Sequence, residues 1–158
     1  MIKSLFFILS VTLVFSCSKD AKTPEGLIEM VALDMTTKKL DKEYFQKYTT
    51  GKLLEKIEEL NEEELKKYSN LSHVQKPKVE VLRKNCSQQR CSLTYIIRYN
   101  VVQNEKVDFK TEVKKIATVI KEDEKWKVEE VTNLKTYHEA TQPINALEEE
   151  PATKPENI

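Results

Sequence analysis

The spacing of apolar residues changes character twice along the chain. Residues 5–15 form one apolar run interrupted only by Ser10 and Thr12. From Thr23 to about Tyr68 the apolar positions recur at helical intervals, and from Lys78 to Leu134 they alternate as in half-buried strands. Beyond Glu139 the text is Thr, Gln, Pro, Glu and Ala with little that could fill a core. The pattern predicts an α+β domain in which helices come first and a mostly antiparallel four-stranded sheet follows.

In the helical part, Thr23-Pro24-Glu25 has the chemistry of a helix start: a capping hydroxyl, proline at the first position and an acid in the first turn. Ile28, Val31, Ala32 and Met35 then form one face, with Leu27 at its edge. Asp41 caps a short second helix carrying Tyr44, Phe45 and Tyr48. Thr50-Gly51 separates it from a third, with Leu53, Leu54, Ile57 and Leu60 on one side. Asn61-Glu62-Glu63-Glu64 has capping-box form, flanked by Leu60 and Leu65 as a hydrophobic staple. That favours a kink or restart at Asn61 over one helix from 51 to 68.

Four strands are expected at Lys78 to Asn85, Arg90 to Val102, Lys106 to Lys121 and Glu124 to Leu134. In the second, Leu93, Tyr95, Ile97, Tyr99 and Val101 share one face. In the third, Val107, Phe109 and Val113 share a face as far as Lys114-Lys115, where a bulge or burial of both faces is required. Setting Val101 opposite Phe109 and Tyr99 opposite Thr111 calls for an odd-length connection, Asn104 to Lys106. Pairing Cys86 with Cys91 puts Val79 and Val81 out of phase with Tyr95 and Ile97, and a one-residue bulge near Arg83-Lys84 would restore it.

The apolar run at the start is too short to span a bilayer, which takes about 20 residues, and with Lys3 before it suits a signal peptide. Val14-Phe15-Ser16-Cys17 resembles the bacterial lipobox. Residues 1–16 are therefore expected to be a lipoprotein signal peptide and 17–22 a lipidated tether. Cys17 would carry the diacylglyceryl thioether and, with its amine acylated, enough chains for stable anchoring. Ser18 after the cysteine resembles outer-membrane sorting, facing the periplasm. Residues 23–138 would then form the domain, and 139–158 a disordered acidic tail.

Charge narrows the function classes. Lysine and arginine total 26 and so do aspartate and glutamate, so no basic surplus is available for phosphates and nucleic acid is not expected as a partner. Two glycines in 158 residues and the lack of a phosphate-loop or dinucleotide fingerprint argue against nucleotide chemistry. With Cys17 assigned to lipid, Cys86 and Cys91 remain as an even pair in an oxidising compartment. Their four-residue separation does not match the redox spacing, and no nearby histidine completes a metal site, so a disulfide at a hairpin tip is expected. His73 and His138 pair with no nucleophile and read as solvated loop residues. No catalytic residue, metal or cofactor is expected. Tyr95, Tyr99, Phe109 and Trp126 are candidate pocket-lining residues between sheet and helices, or plain core. Asp34 is a surface residue or a pocket acid.

Three segments carry a family resemblance: Thr23-Pro24-Glu25-Gly26-Leu27, then Tyr44-Phe45-Gln46-Lys47-Tyr48-Thr49 running on to Leu53-Leu54, then Lys121-Glu122-Asp123-Glu124-Lys125-Trp126-Lys127-Val128. Their order resembles small bacterial lipoproteins with a nuclear-transport-factor-2-like domain, the cystatin-like cone shared with ketosteroid isomerase and scytalone dehydratase. Glu124 stands where glycine is common. The resemblance implies helices packed into a curved sheet, an internal pocket and often a homodimer. It carries no activity across, because the fold hosts many and the enzymes' Asp/Tyr or Asp/His sets do not map onto this chain. The reading is an envelope lipoprotein that binds a partner protein or small apolar ligand. An assembly subunit of an outer-membrane complex is the first alternative and a cone-fold isomerase or dehydratase, using Asp34 with Tyr95 or Tyr99, the second.

Overall fold

The computed structural model describes residues 21–69, 73–103 and 106–141. The expected signal peptide, Cys17 and the expected tail from 142 onward lie outside the described residues. Four helices, α1 (Pro24–Thr37), α2 (Lys42–Tyr48), α3 (Gly51–Glu59) and α4 (Glu62–Ser69), precede four strands, β1 (Val74–Cys86), β2 (Arg90–Gln103), β3 (Lys106–Glu122) and β4 (Lys125–Ala140). The strands form one open antiparallel sheet in the order β1-β2-β3-β4. This is the α+β class expected from the pattern.

The local starts and stops follow the sequence chemistry. Thr23 Oγ1 accepts from Gly26 N at 3.0 Å, and Asp41 Oδ1 accepts from Tyr44 N at 2.8 Å. At Asn61 the helix restarts. The Asn61 side chain accepts from Glu63 N and Glu64 N, both at 3.0 Å, and Glu64 Oε2 accepts from Asn61 N at 2.9 Å. Leu65 is buried beyond it and Leu60 packs beside the core. Gly51 has φ 53°, and a Cβ there would meet Glu129 Cγ at 3.0 Å. The backbone conformation and the close approach of β4 together favour glycine.

The helices cover one face of the sheet. α1 lies against β1 and reaches β2 and β4, while α3 meets β4. Leu27, placed at the edge of α1 by the pattern, is fully buried together with Phe45 of α2. Thr50 N donates to Val128 O at 2.9 Å, tying the α2–α3 connection to β4. Ser69 Oγ accepts from Leu40 N at 3.3 Å and donates to Leu65 O at 3.0 Å, which fastens the segment after α1 to α4.

The register resolves the phase conflicts. Val101 faces Phe109 and Tyr99 faces Thr111, as parity requires. The connection itself is shorter than expected, because Gln103 pairs with Lys106. A bulge at Asp108 supplies the odd residue instead. In β1 the bulge falls between Val81 and Arg83, next to the predicted site, and brings Cys86 opposite Cys91. Their sulfurs are bonded, with the Cα atoms 4.0 Å apart. At Lys114-Lys115 the irregularity is in the partner strand, where Leu134 is the extra residue. From Phe109 onward β3 keeps its alternation, so Thr111, Val113, Lys115, Ala117 and Val119 share one face.

The strand bounds differ from the pattern most at two ends. β1 starts at Val74 rather than Lys78. β4 continues past Leu134 to Ala140, with His138 opposite Thr111 and Glu139 opposite Lys110. The strand therefore includes position 139, where the pattern placed the start of the tail. Its polar Thr, Tyr, His and Glu hid a strand whose pairing to β3 does not depend on an apolar face. At the β3–β4 turn Asp123 and Glu124 both have positive φ, 46° and 63°, the geometry of a tight two-residue hairpin that normally favours glycine.

Candidate functional site

The inner face of the sheet is filled at one end and hollow at the other. Near the disulfide, Cys91, Leu93, Ala117, Val119 and Val128 are wholly or almost wholly buried. Farther along the same strands, a cavity of about 310 Å³ remains between α1 and the sheet. Ile28, Val31 and Met35 of α1 form its roof, and Ile97, Val113 and Val131 form much of its apolar floor. Tyr68 of α4, 44% exposed, borders it on the solvent side.

One row across the floor is polar. Tyr95 on β2 is directly opposite Lys115 on β3, and Lys115 is directly opposite Asn133 on β4. All three line the cavity. The bulge at Leu134 lets both Asn133 and Thr136 face inward from β4, and Asn133 Nδ2 donates to Thr136 Oγ1 at 3.2 Å. Burial holds the Lys115 ammonium below the usual lysine range and raises the Tyr68, Tyr95 and Tyr99 hydroxyls above theirs. The tyrosines are thus neutral hydrogen-bond donors. Lys115 is the one charged residue lining the cavity, and among the described residues it has neither an ion-pair partner nor a hydrogen-bond acceptor.

Of the four aromatic residues expected to line a pocket, the structure brings two together. Tyr95 and Tyr99 line the cavity. Phe109 stands 40% exposed near the far end of β3, where its ring meets His138 edge-on at 6.4 Å. It pairs with Val101 and Ala140 beyond the part of the floor that the helices cover. Trp126 follows the β3–β4 turn and lines a separate pocket of about 300 Å³ with Tyr48 and Gln46. The tight turn puts it at the filled end of the sheet, past Val128.

Asp34 is buried, not on the surface, but it is absent from the cavity lining. Its carboxylate accepts from Tyr44 Oη at 3.0 Å and pairs with Lys38 Nζ at 2.8 Å. The tyrosine bond ties the end of α1 to α2, and the lysine pair closes the last turn of α1. His73 is exposed in the approach to β1. His138 lies within β4, with Nδ1 3.0 Å from Thr111 Oγ1. Among the described residues no group of three or more His, Cys, Asp or Glu side chains is placed to hold a metal ion. No described helix is long and apolar enough to cross a membrane.

Sequence reasoning passed over Lys115. The signal was there: it occupies the inward parity of Val113, Ala117 and Val119, a lysine in an otherwise apolar row. Asn133 and Thr136 were harder to assign, because one bulge residue separates their phases.

The helices-then-sheet order and the covered inner face define an α+β domain with an internal chamber. The fold is similar to that of a SEC-C motif-containing protein from Rhodopseudomonas palustris, known from its solution structure. The two superpose with a TM-score of 0.53 at 15% sequence identity, covering 73% of this chain and 81% of the other. At that identity the likeness shows the fold alone. No protein-family model matches the chain, and no curated protein matches it.

Proposed function

We propose that the protein is a lipid-anchored envelope lipoprotein whose α+β domain, a nuclear-transport-factor-2-like cone, binds a small apolar ligand between α1 and the sheet. The single observation that carries this reading is the chamber itself. At about 310 Å³ it sits at the lower end of the range for ligand pockets, and most of the residues around it are aliphatic or aromatic. The lipobox-like Val14-Phe15-Ser16-Cys17 supports the anchor, with Cys17 as the acylated residue. The anchor would hold the binding domain at the membrane, where apolar compounds concentrate.

The test is native mass spectrometry on the full chain, produced with its own signal peptide and recovered from bacterial membranes. The expected spectrum shows acyl chains on the residue-17 N-terminus and a second mass that leaves on denaturation. An unacylated, uncleaved chain would overturn the anchor. A ligand-free spectrum, together with no uptake of added apolar compounds, would overturn the binding role.

A further inference from the structure

We infer that the ligand of this chamber is a small monocarboxylate of about ten non-hydrogen atoms in all, an apolar body whose carboxylate is held by Lys115. The inference rests on the proposed ligand-binding reading and adds the chemistry of the head group.

The size follows from the volume. At about 30 Å³ for each water-sized group, 310 Å³ admits on the order of ten such groups. The charge follows from the lining. Lys115 is desolvated by its surroundings, and among the described residues no Asp or Glu lines the chamber to balance it. A neutral ligand would displace the remaining water and leave the ammonium enclosed without a counter-ion, which is costly. A cationic ligand would add a like charge. A doubly charged phosphate would bring one more negative charge than this lining neutralises. A carboxylate matches the single positive charge.

The neighbouring groups suit the two oxygens of such a head. Tyr95 and Asn133 flank Lys115 on the adjacent strands of the same row. Neighbouring strands lie about 5 Å apart, so the tyrosine and asparagine side chains leave the sheet on the same face as Lys115, one from the strand on either side, and all three line the chamber. The aliphatic side chains of Ile28, Val31 and Met35 face this row from α1 and accept the tail. The site therefore distinguishes a polar floor from an apolar roof. That sets the orientation of the ligand.

The probes are octanoate, 1-octanol and octylammonium, which share one chain length and differ in head charge. Radiolabelled probes are equilibrated with the full chain in lipid nanodiscs, and empty nanodiscs correct for partition into lipid. Octanoate is expected to bind about tenfold or more tighter than octanol, with octylammonium weakest. Lys115→Met, an apolar side chain of similar length, is expected to abolish the preference while octanol binding survives, which shows an intact chamber. Lys115→Arg is expected to retain the preference. Equal binding of octanoate and octanol, or an octanoate affinity unchanged by Lys115→Met, overturns the carboxylate assignment and leaves the apolar chamber standing. Binding of none of the three probes overturns the underlying ligand-binding reading as well.

Discussion

The two ends of the sheet's inner face are built from the same strands with the same alternation, yet they serve different ends. At the disulfide end, Cys91, Leu93, Ala117 and Val119 are buried in the core and line no part of the chamber, while Val128 is buried at its border. At the other end Tyr95, Lys115 and Asn133 face a chamber. Stability is concentrated where the inner rows are short and apolar. The polar row sits where packing has been given up. A chamber costs dispersion contacts on every wall, and a desolvated cation adds to that cost, so the filled end must supply the surplus.

This contrast predicts the largest effect. Phe45 is fully buried, and Phe45→Ala should cost about 4 kcal/mol in urea unfolding. Met35→Ala, on the roof of the chamber, should cost about 1 kcal/mol, because part of the void already exists and the methionine is only partly buried. Equal costs at the two positions would mean that the chamber is as tightly filled as the core, and the comparison would fail.

The next effect belongs to the clamp at the filled end. Cys86 and Cys91 close a short loop at the β1–β2 turn. Replacing both with alanine should remove about 2 kcal/mol on the chain-entropy account, read as a lower urea midpoint against the oxidised protein. Because the clamp lies away from the chamber, octanoate affinity should stay unchanged in the same variant. A large loss of binding would show that the two ends are not independent.

A smaller effect, of opposite sign, is expected at Lys115. Its pKa is lower in the folded protein than in the unfolded chain, because burial disfavours the charged form. The charged lysine therefore costs stability. The cost is full below the folded pKa, shrinks as pH climbs through the window toward the unfolded value of 10.5, and is absent above it. Lys115→Met should accordingly be more stable than the natural protein by about 1 kcal/mol at neutral pH. The gap should narrow as the pH is raised toward 10. A gap that is constant with pH would assign the gain to packing alone and remove the charge argument.

What the sequence disclosed of this architecture follows physical lines. Caps at Thr23, Asp41 and Asn61 are short-range chemistry, and the helices start where these residues place them. The parity of β2 and its pairing with β3 were legible because one buried face dictates register. The end of β4 was not legible. From Lys135 to Glu139 it carries polar residues, and its pairing comes from β3 rather than from burial. The chamber was half legible: Tyr95 and Tyr99 lie on the apolar parity of β2, but a cavity is a failure of several distant elements to meet. Strand parity alone does not say where helical cover stops, which is why Phe109 and Trp126 fell outside. Lys115 stood on an inward row in plain view, while Asn133 and Thr136 were separated in phase by a bulge.

The smallest effect is expected on the opposite face of the sheet. There Arg98 bridges Glu80 on β1 and Glu112 on β3, at 2.6 and 2.7 Å. The triad crosses three strands and has good geometry, so it looks as deliberate as the row beneath. The difference is the solvent. These side chains stand in water, where Coulomb attraction is weak and holding long side chains in one arrangement costs entropy. Arg98→Ala should therefore leave the urea midpoint where it was, in low and in high salt alike, and leave octanoate binding untouched. A clear salt-sensitive loss of stability would mean that the ladder carries part of the sheet's cohesion. The contrast between the two faces would then have to be redrawn, because a charge would matter as much in water as in the chamber.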